Sequence, residues 1–212
     1  NETENSLGFK YFISPVALDK DQPFGEAEFL QRSSNLSTSS SSLTYEDKYF
    51  EKTRYGAYSF GGRVYLGDWY IAGGTSSRDL TLRIKSNNSQ SYAITDGSNS
   101  LGVGFYFLPL STLTYTRSER AISQSPSQGL SSVAEIKDVR DTLSLKTLLN
   151  LQNNQTLVLN GSWAQDNREQ TLKEVNKIVD IRGQYYPNPK TYFLVGYLQN
   201  LSLIHISEPT RP

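Results

Sequence analysis

The sequence predicts an all-β protein, an antiparallel up-and-down transmembrane β-barrel that is incomplete at about ten strands. Three observations point there. Apolar and polar residues alternate with a period of two, short and long polar connections alternate along the chain, and aromatic residues gather at the short connections. A period of two sends successive side chains to opposite faces of a sheet, and little of the chain follows the helical period.

Composition narrows the class. A net charge of +0 over 212 residues argues against nucleic acid as a partner. Hydrophobic residues reach only 36%, thin for a water-soluble domain of this length. There are 14 Tyr and 15 Gly, and neither Cys nor Met. Without thiols there is no disulfide and no Cys-ligated zinc, so the redox compartment is left open. The longest apolar run, Tyr192–Leu198, is interrupted by Gly196 and falls far short of the ~18–20 residues of a spanning helix. Asn1–Asn5 is no basic leader, so an exported protein would have lost its leader or its start.

The strand candidates are 7–14, 24–37, 54–66, 69–79, 100–108, 111–121, 136–151, 155–167, 172–186 and 190–200. Their length suits a tilted strand crossing a bilayer. In 142–151, Leu143, Leu145, Leu149 and Leu151 share one face, interrupted by Thr147, while Thr142, Ser144, Lys146 and Asn150 share the other with Leu148. Leu157, Leu159, Gly161 and Trp163 repeat the pattern opposite Thr156, Asn160 and Ser162. Farther on, Val175, Val179, Ile181 and Tyr185 oppose Asn176, Asp180, Arg182 and Gln184. A half-buried soluble sheet alternates in the same way, so this pattern does not decide.

The connections say more. The predicted short ones are 14–23, Gly67-Asp68, 108–110, Asn153-Asn154 and 187–190; the predicted long ones are 37–53, 86–100, 118–132 and the shorter 166–170. Strict alternation of tight turns and longer loops is the outer-membrane pattern. Tyr11, Phe12, Tyr65, Trp69, Tyr70, Phe105, Phe107, Tyr185, Tyr186, Tyr192 and Phe193 lie beside the short turns. Amphipathic rings sit best at headgroup level, so these are the candidate aromatic girdle.

A barrel strand turns alternate residues into the lumen. The candidate pore-lining charges are Glu26, Glu28 and Arg32 on one strand, then Arg63, Lys146, Asp180 and Arg182. Turning a basic group to lipid near the midplane costs roughly 2–4 kcal/mol, and an acid somewhat less, which favours the inward placement. An open lumen lined by these charges and a plugged lumen in which they pair both satisfy that argument.

No enzyme, cofactor or metal site is expected. The chain has one histidine, His205, which falls in the adapter-like stretch 201–212; once it is set aside, a hydrolytic triad loses its usual base and a His-based metal centre its ligand. Gly102-x-Gly104 has Phe107 where a dinucleotide fingerprint needs its third glycine, and reads as small residues on one face of a curved strand. Asp19–Asp21 and Glu46-Asp47 read as solvated turn and loop charge.

One segment carries a family resemblance. Residues 22–37 read Gln-Pro-Phe-Gly-Glu-Ala-Glu-Phe-Leu-Gln-Arg-Ser-Ser-Asn-Leu-Ser, which resembles the early strand of the general porins of gammaproteobacterial outer membranes. Pro23, Glu26, Ala27, Phe29, Leu30, Ser34, Asn35 and Ser37 match that element; Gln22 and Gly25 depart from its commoner Gly and Ala. The order of the phrases at 11–16, 101–109 and 185–190 is similar too, though these are generic to many outer-membrane barrels. The resemblance implies a Gram-negative outer-membrane channel for passive diffusion of small hydrophilic solutes or water. Its partners would be outer-membrane lipid, lipopolysaccharide and those solutes, and a parent barrel would hold an even number of strands, about 12–16. The competing expectation is an extracellular β-sandwich or β-helix for adhesion or carbohydrate binding, with Trp69, Trp163 and the Ser-rich 37–44 stretch as a sugar platform.

Residues 201–212, Leu-Ser-Leu-Ile-His-Ile-Ser-Glu-Pro-Thr-Arg-Pro, resemble the translation of a sequencing-library adapter seen at the ends of metagenomic reading frames. The expected division is therefore a barrel fragment over 1–200 and a non-native tail over 201–212.

Overall fold

Ten strands follow one another in space in the order in which they occur in the chain, each antiparallel to the next. They are β1 (Glu2–Phe12), β2 (Asn35–Tyr45), β3 (Phe50–Leu66), β4 (Trp69–Ile84), β5 (Ser91–Leu108), β6 (Ser111–Pro126), β7 (Ala134–Asn150), β8 (Thr156–Glu169), β9 (Lys173–Asn188) and β10 (Thr191–His205). One short helix, α1 (Ala27–Gln31), lies between β1 and β2. The computed structural model describes residues 2–13, 16, 23, 26–45, 50–84, 91–126, 134–151, 153–169 and 173–205. Asp19–Asp21 and Glu46-Asp47 lie outside them.

All strands belong to a single up-and-down sheet. A sandwich would need two sheets and a β-helix parallel strands, and neither is present among the described residues. The sheet is not closed: β1 and β10 are its two edges and do not pair with each other.

Hairpin chemistry fixes the register. Gly67, with φ +66°, opens the two-residue β3–β4 turn, where a first central residue with positive φ matches the twist of the flanking strands. Asn153 and Asn154 both have positive φ, 60° and 58°, and the Leu151 N–H bonds the Gln155 carbonyl at 2.8 Å across them. Asn tolerates this region better than other side chains, which is why the pair can stand at the β7–β8 turn.

The alternation divides the sheet into two unlike faces. Leu143 pairs with Trp163 and Tyr115, and Leu145 with Leu113; all are exposed on the convex face with Tyr58, Phe60, Val103, Leu159 and Val195. Ser144, Lys146 and Leu148 alternate with them onto the concave face, as expected. The concave core is small: Phe29, Tyr70, Tyr106, Leu148, Val158 and Tyr186, with Leu30, Tyr65, Ala72 and Leu110 against it. Burying each of its large side chains is worth about 1.5–3 kcal/mol. β10 breaks the pattern, since Leu194 and Leu198 stand opposite the polar Gln184 and Asp180 while Val195 and Tyr197 occupy the other face.

Several expectations are corrected. Where a strand was expected over 24–37, residues 27–31 are helical and β2 begins only at Asn35. β1 ends at Phe12 and β2 begins at Asn35; of the expected 14–23 connection between them, all but residues 16 and 23 lie outside the described residues. The long loops are overestimated, because β2, β5, β6 and β8 run on through Tyr45, from Ser91, to Pro126 and to Glu169. β10 runs to His205, beyond the end of the strand expected over 190–200, and 206–212 lie outside the described residues.

Candidate functional site

Helix α1 sits on the concave face at the end of the sheet where the tight turns lie. Phe29 inserts its ring against Tyr106, centroids 5.3 Å apart, and the Tyr106 hydroxyl donates to the Phe29 carbonyl at 2.9 Å. Arg32 ends the helix in the left-handed region, φ 50°, with its guanidinium 4.2 Å over the Tyr106 ring and Nη1 2.7 Å from Asp68 Oδ1 in the β3–β4 turn. A wedge, a ring stack and an ion pair thus clamp one helical turn to two hairpins, β3–β4 and β5–β6.

Charges complete the clamp. Glu26, at the helix N-cap, is buried and forms an ion pair with Lys146 of β7, whose ammonium also lies 4.7 Å from the Phe29 ring centroid. Glu28 pairs with Lys10 of β1, lies 3.7 Å from Arg63 Nη1 of β3, and accepts from Asn35 Nδ2 at 2.7 Å. The two acids are therefore on a helical turn and not on a strand. They reach opposite sides of the sheet, Glu26 towards β7 and Glu28 towards β1 and β3.

Between the helix and the wall is a cavity of about 650 Å³. Of the expected pore-lining charges, Glu26, Glu28, Arg63, Lys146, Asp180 and Arg182 line it; Arg32 does not, being spent on the turn. Asp180 and Arg182 pair with each other at 2.7 Å. The rest of the lining is largely hydroxyl and amide, with Thr112, Thr114 and Thr116 in a row on β6 and Ser144, Asn160, Ser162 and Gln184 on the next three strands. Among the described residues, Arg63 Nε is a buried donor with no acceptor. No group of three or more His, Cys, Asp or Glu able to hold a metal occurs among the described residues.

A second recess, of about 310 Å³, lies farther along the same face towards the opposite rim. Asp96 of β5 receives both Nε and Nη2 of Arg120 of β6, at 2.8 and 2.6 Å. Asp166 of β8 receives Nε and Nη2 of Arg140 of β7, the latter at 2.6 Å. Arg168 donates to Asp138 at 3.0 Å, and Arg78 stands opposite Asp96 in register. This ladder was not expected from the sequence. Asp96, Arg120, Asp166 and Arg168 stand in stretches read as loops, where the outward face is polar too (Arg117, Glu119), while Arg78, Asp138 and Arg140 fall in the expected strands 69–79 and 136–151.

The expected girdle splits between the faces. Tyr11, Trp69, Phe107 and Phe193 are exposed on the convex face, Phe105 stacks on Trp69 at 4.6 Å, and Tyr185 pairs with Phe193 across β9 and β10. Tyr70 and Tyr186 are instead buried on the concave face, with Tyr65 beside Tyr70 and Tyr192 beside Tyr186. Phe12 also turns inward, near Lys10. Of these inward rings, Tyr70 and Tyr186 join the cluster around Phe29 of the helix, and Tyr65 packs against it.

No family model matches the chain, and no curated protein is similar to it.

Proposed function

We propose that the chain is an outer-membrane, porin-like channel through which small hydrophilic solutes diffuse passively. The observation that carries this is the inverted polarity: an apolar band on the convex face that no described residue covers, over a concave face of hydroxyls and paired charges. A water-soluble sheet hides its apolar face, whereas a lipid-bathed barrel exposes it. The exposed rings Trp69, Phe107 and Phe193 near the tight turns are where an interfacial girdle belongs. A bilayer leaves no backbone group unpaired, so the proposal requires β1 and β10 both to be paired in the membrane.

Helix α1 then narrows the lumen at the tight-turn end, and the cavity beside it is the passage. Reconstitution of the chain in planar bilayers tests this. Discrete current steps are expected; a protein that inserts without them is no channel.

A further inference from the structure

Resting on the channel reading, we infer that the concave face selects for anions, so that the favoured solutes are small phosphates, sulfates and carboxylates. The sequence is neutral overall, but its inward charges are not equally presented. In the ladder the guanidinium side chains of Arg120, Arg140 and Arg168 are 38–50% exposed, while their partners Asp96, Asp166 and Asp138 are only 16–19% exposed. The same order holds beside the helix, where Lys146 stands in front of Glu26 and Arg182 in front of Asp180.

The bonding reinforces the bias. Arg120 and Arg140 each spend one edge, Nε and Nη2, on a carboxylate, which occupies both oxygens of Asp96 and of Asp166. A guanidinium has five N–H donors, so each of these still offers donors on Nη1. Arg78 brings a further positive charge into the recess, and no carboxylate is bonded to it among the described residues. A solute moving along this wall meets cationic donors at the surface and carboxylates behind them. Such a wall concentrates anions and repels cations at the same time.

The test is the reversal potential of the reconstituted chain in a KCl gradient, for the wild type, Arg78→Gln and Arg120→Gln. The wild type is expected to reverse on the anion side. Arg78→Gln removes a charge without orphaning an acid, and its anion preference is expected to fall; Arg120→Gln uncovers Asp96 and is expected to lose more. Current steps with a wild-type potential at zero or on the cation side overturn the inference while leaving the channel reading intact. An unchanged potential in both variants overturns the ladder as the source of selectivity. Absence of any current step overturns both readings.

Discussion

Glu26 and Lys146 stand 120 residues apart in the chain and meet as an ion pair on the concave face, the acid buried and the base partly open to the cavity. Replacing Lys146 by Ala leaves a buried carboxylate without its counter-charge. The expected cost is about 3 kcal/mol, the low end for breaking a buried pair because Lys146 keeps some exposure. The double replacement Glu26→Met with Lys146→Met is expected to recover most of that loss. Urea unfolding of protein folded into lipid vesicles measures both.

Adjacent residues on β7 give a sharper contrast. Leu145 is exposed on the convex face and Ser144 lines the cavity. Leu145→Arg is expected to destabilise the vesicle-folded protein by roughly 2–4 kcal/mol, the cost of a basic group facing lipid. Ser144→Arg places the same charge on the polar face and is expected to cost far less. Equal effects in the two variants would contradict the assignment of faces.

Gly104 is where the Tyr70 ring lies against β5: a Cβ there would overlap the ring atoms. Tyr70 is buried, and its hydroxyl bonds Thr114. Gly104→Ala is therefore expected to push the ring out and cost about 1–3 kcal/mol, as overpacking does. Near-ultraviolet circular dichroism is expected to lose tyrosine signal in parallel with the loss of stability.

How much of this was legible depends on where a residue sits along its strand. Around Leu143, Ser144, Leu145 and Lys146 the two faces meet different media, so the alternation is sharp and the sequence alone assigns each side chain. Beyond that band both faces are polar: Ser118 and Arg120 face inward, but Arg117 and Glu119 face outward, which is why the expected strand 111–121 and the expected loop 118–132 overlap there. Helix α1 was illegible for another reason. Glu26, Glu28 and Leu30 alternate with Ala27 and Phe29 as a strand would, the segment is only five residues long, and its N-cap Glu26 makes no side-chain capping bond. No start or stop signal marks it, and only the packing of Phe29 on Tyr106 makes it a helix.

At the β7–β8 turn, Asn154 holds a φ of 58°. Asn154→Val forces a β-branched residue into the left-handed region and is expected to cost about 1–2 kcal/mol. Asn154→Gly is expected to be neutral or stabilising, since glycine adopts that region freely. Midpoints of urea unfolding for the two variants check the sign.

The central claim is that the convex face is wetted by lipid, and the chain carries its own probes for it. There are 2 Trp, Trp69 and Trp163, and both are exposed on that face. The measurement is quenching of their fluorescence in vesicles, by brominated acyl chains and by aqueous iodide. Strong quenching by the brominated lipid, with little by iodide, is the predicted result; emission quenched by iodide and untouched by bromine would contradict it.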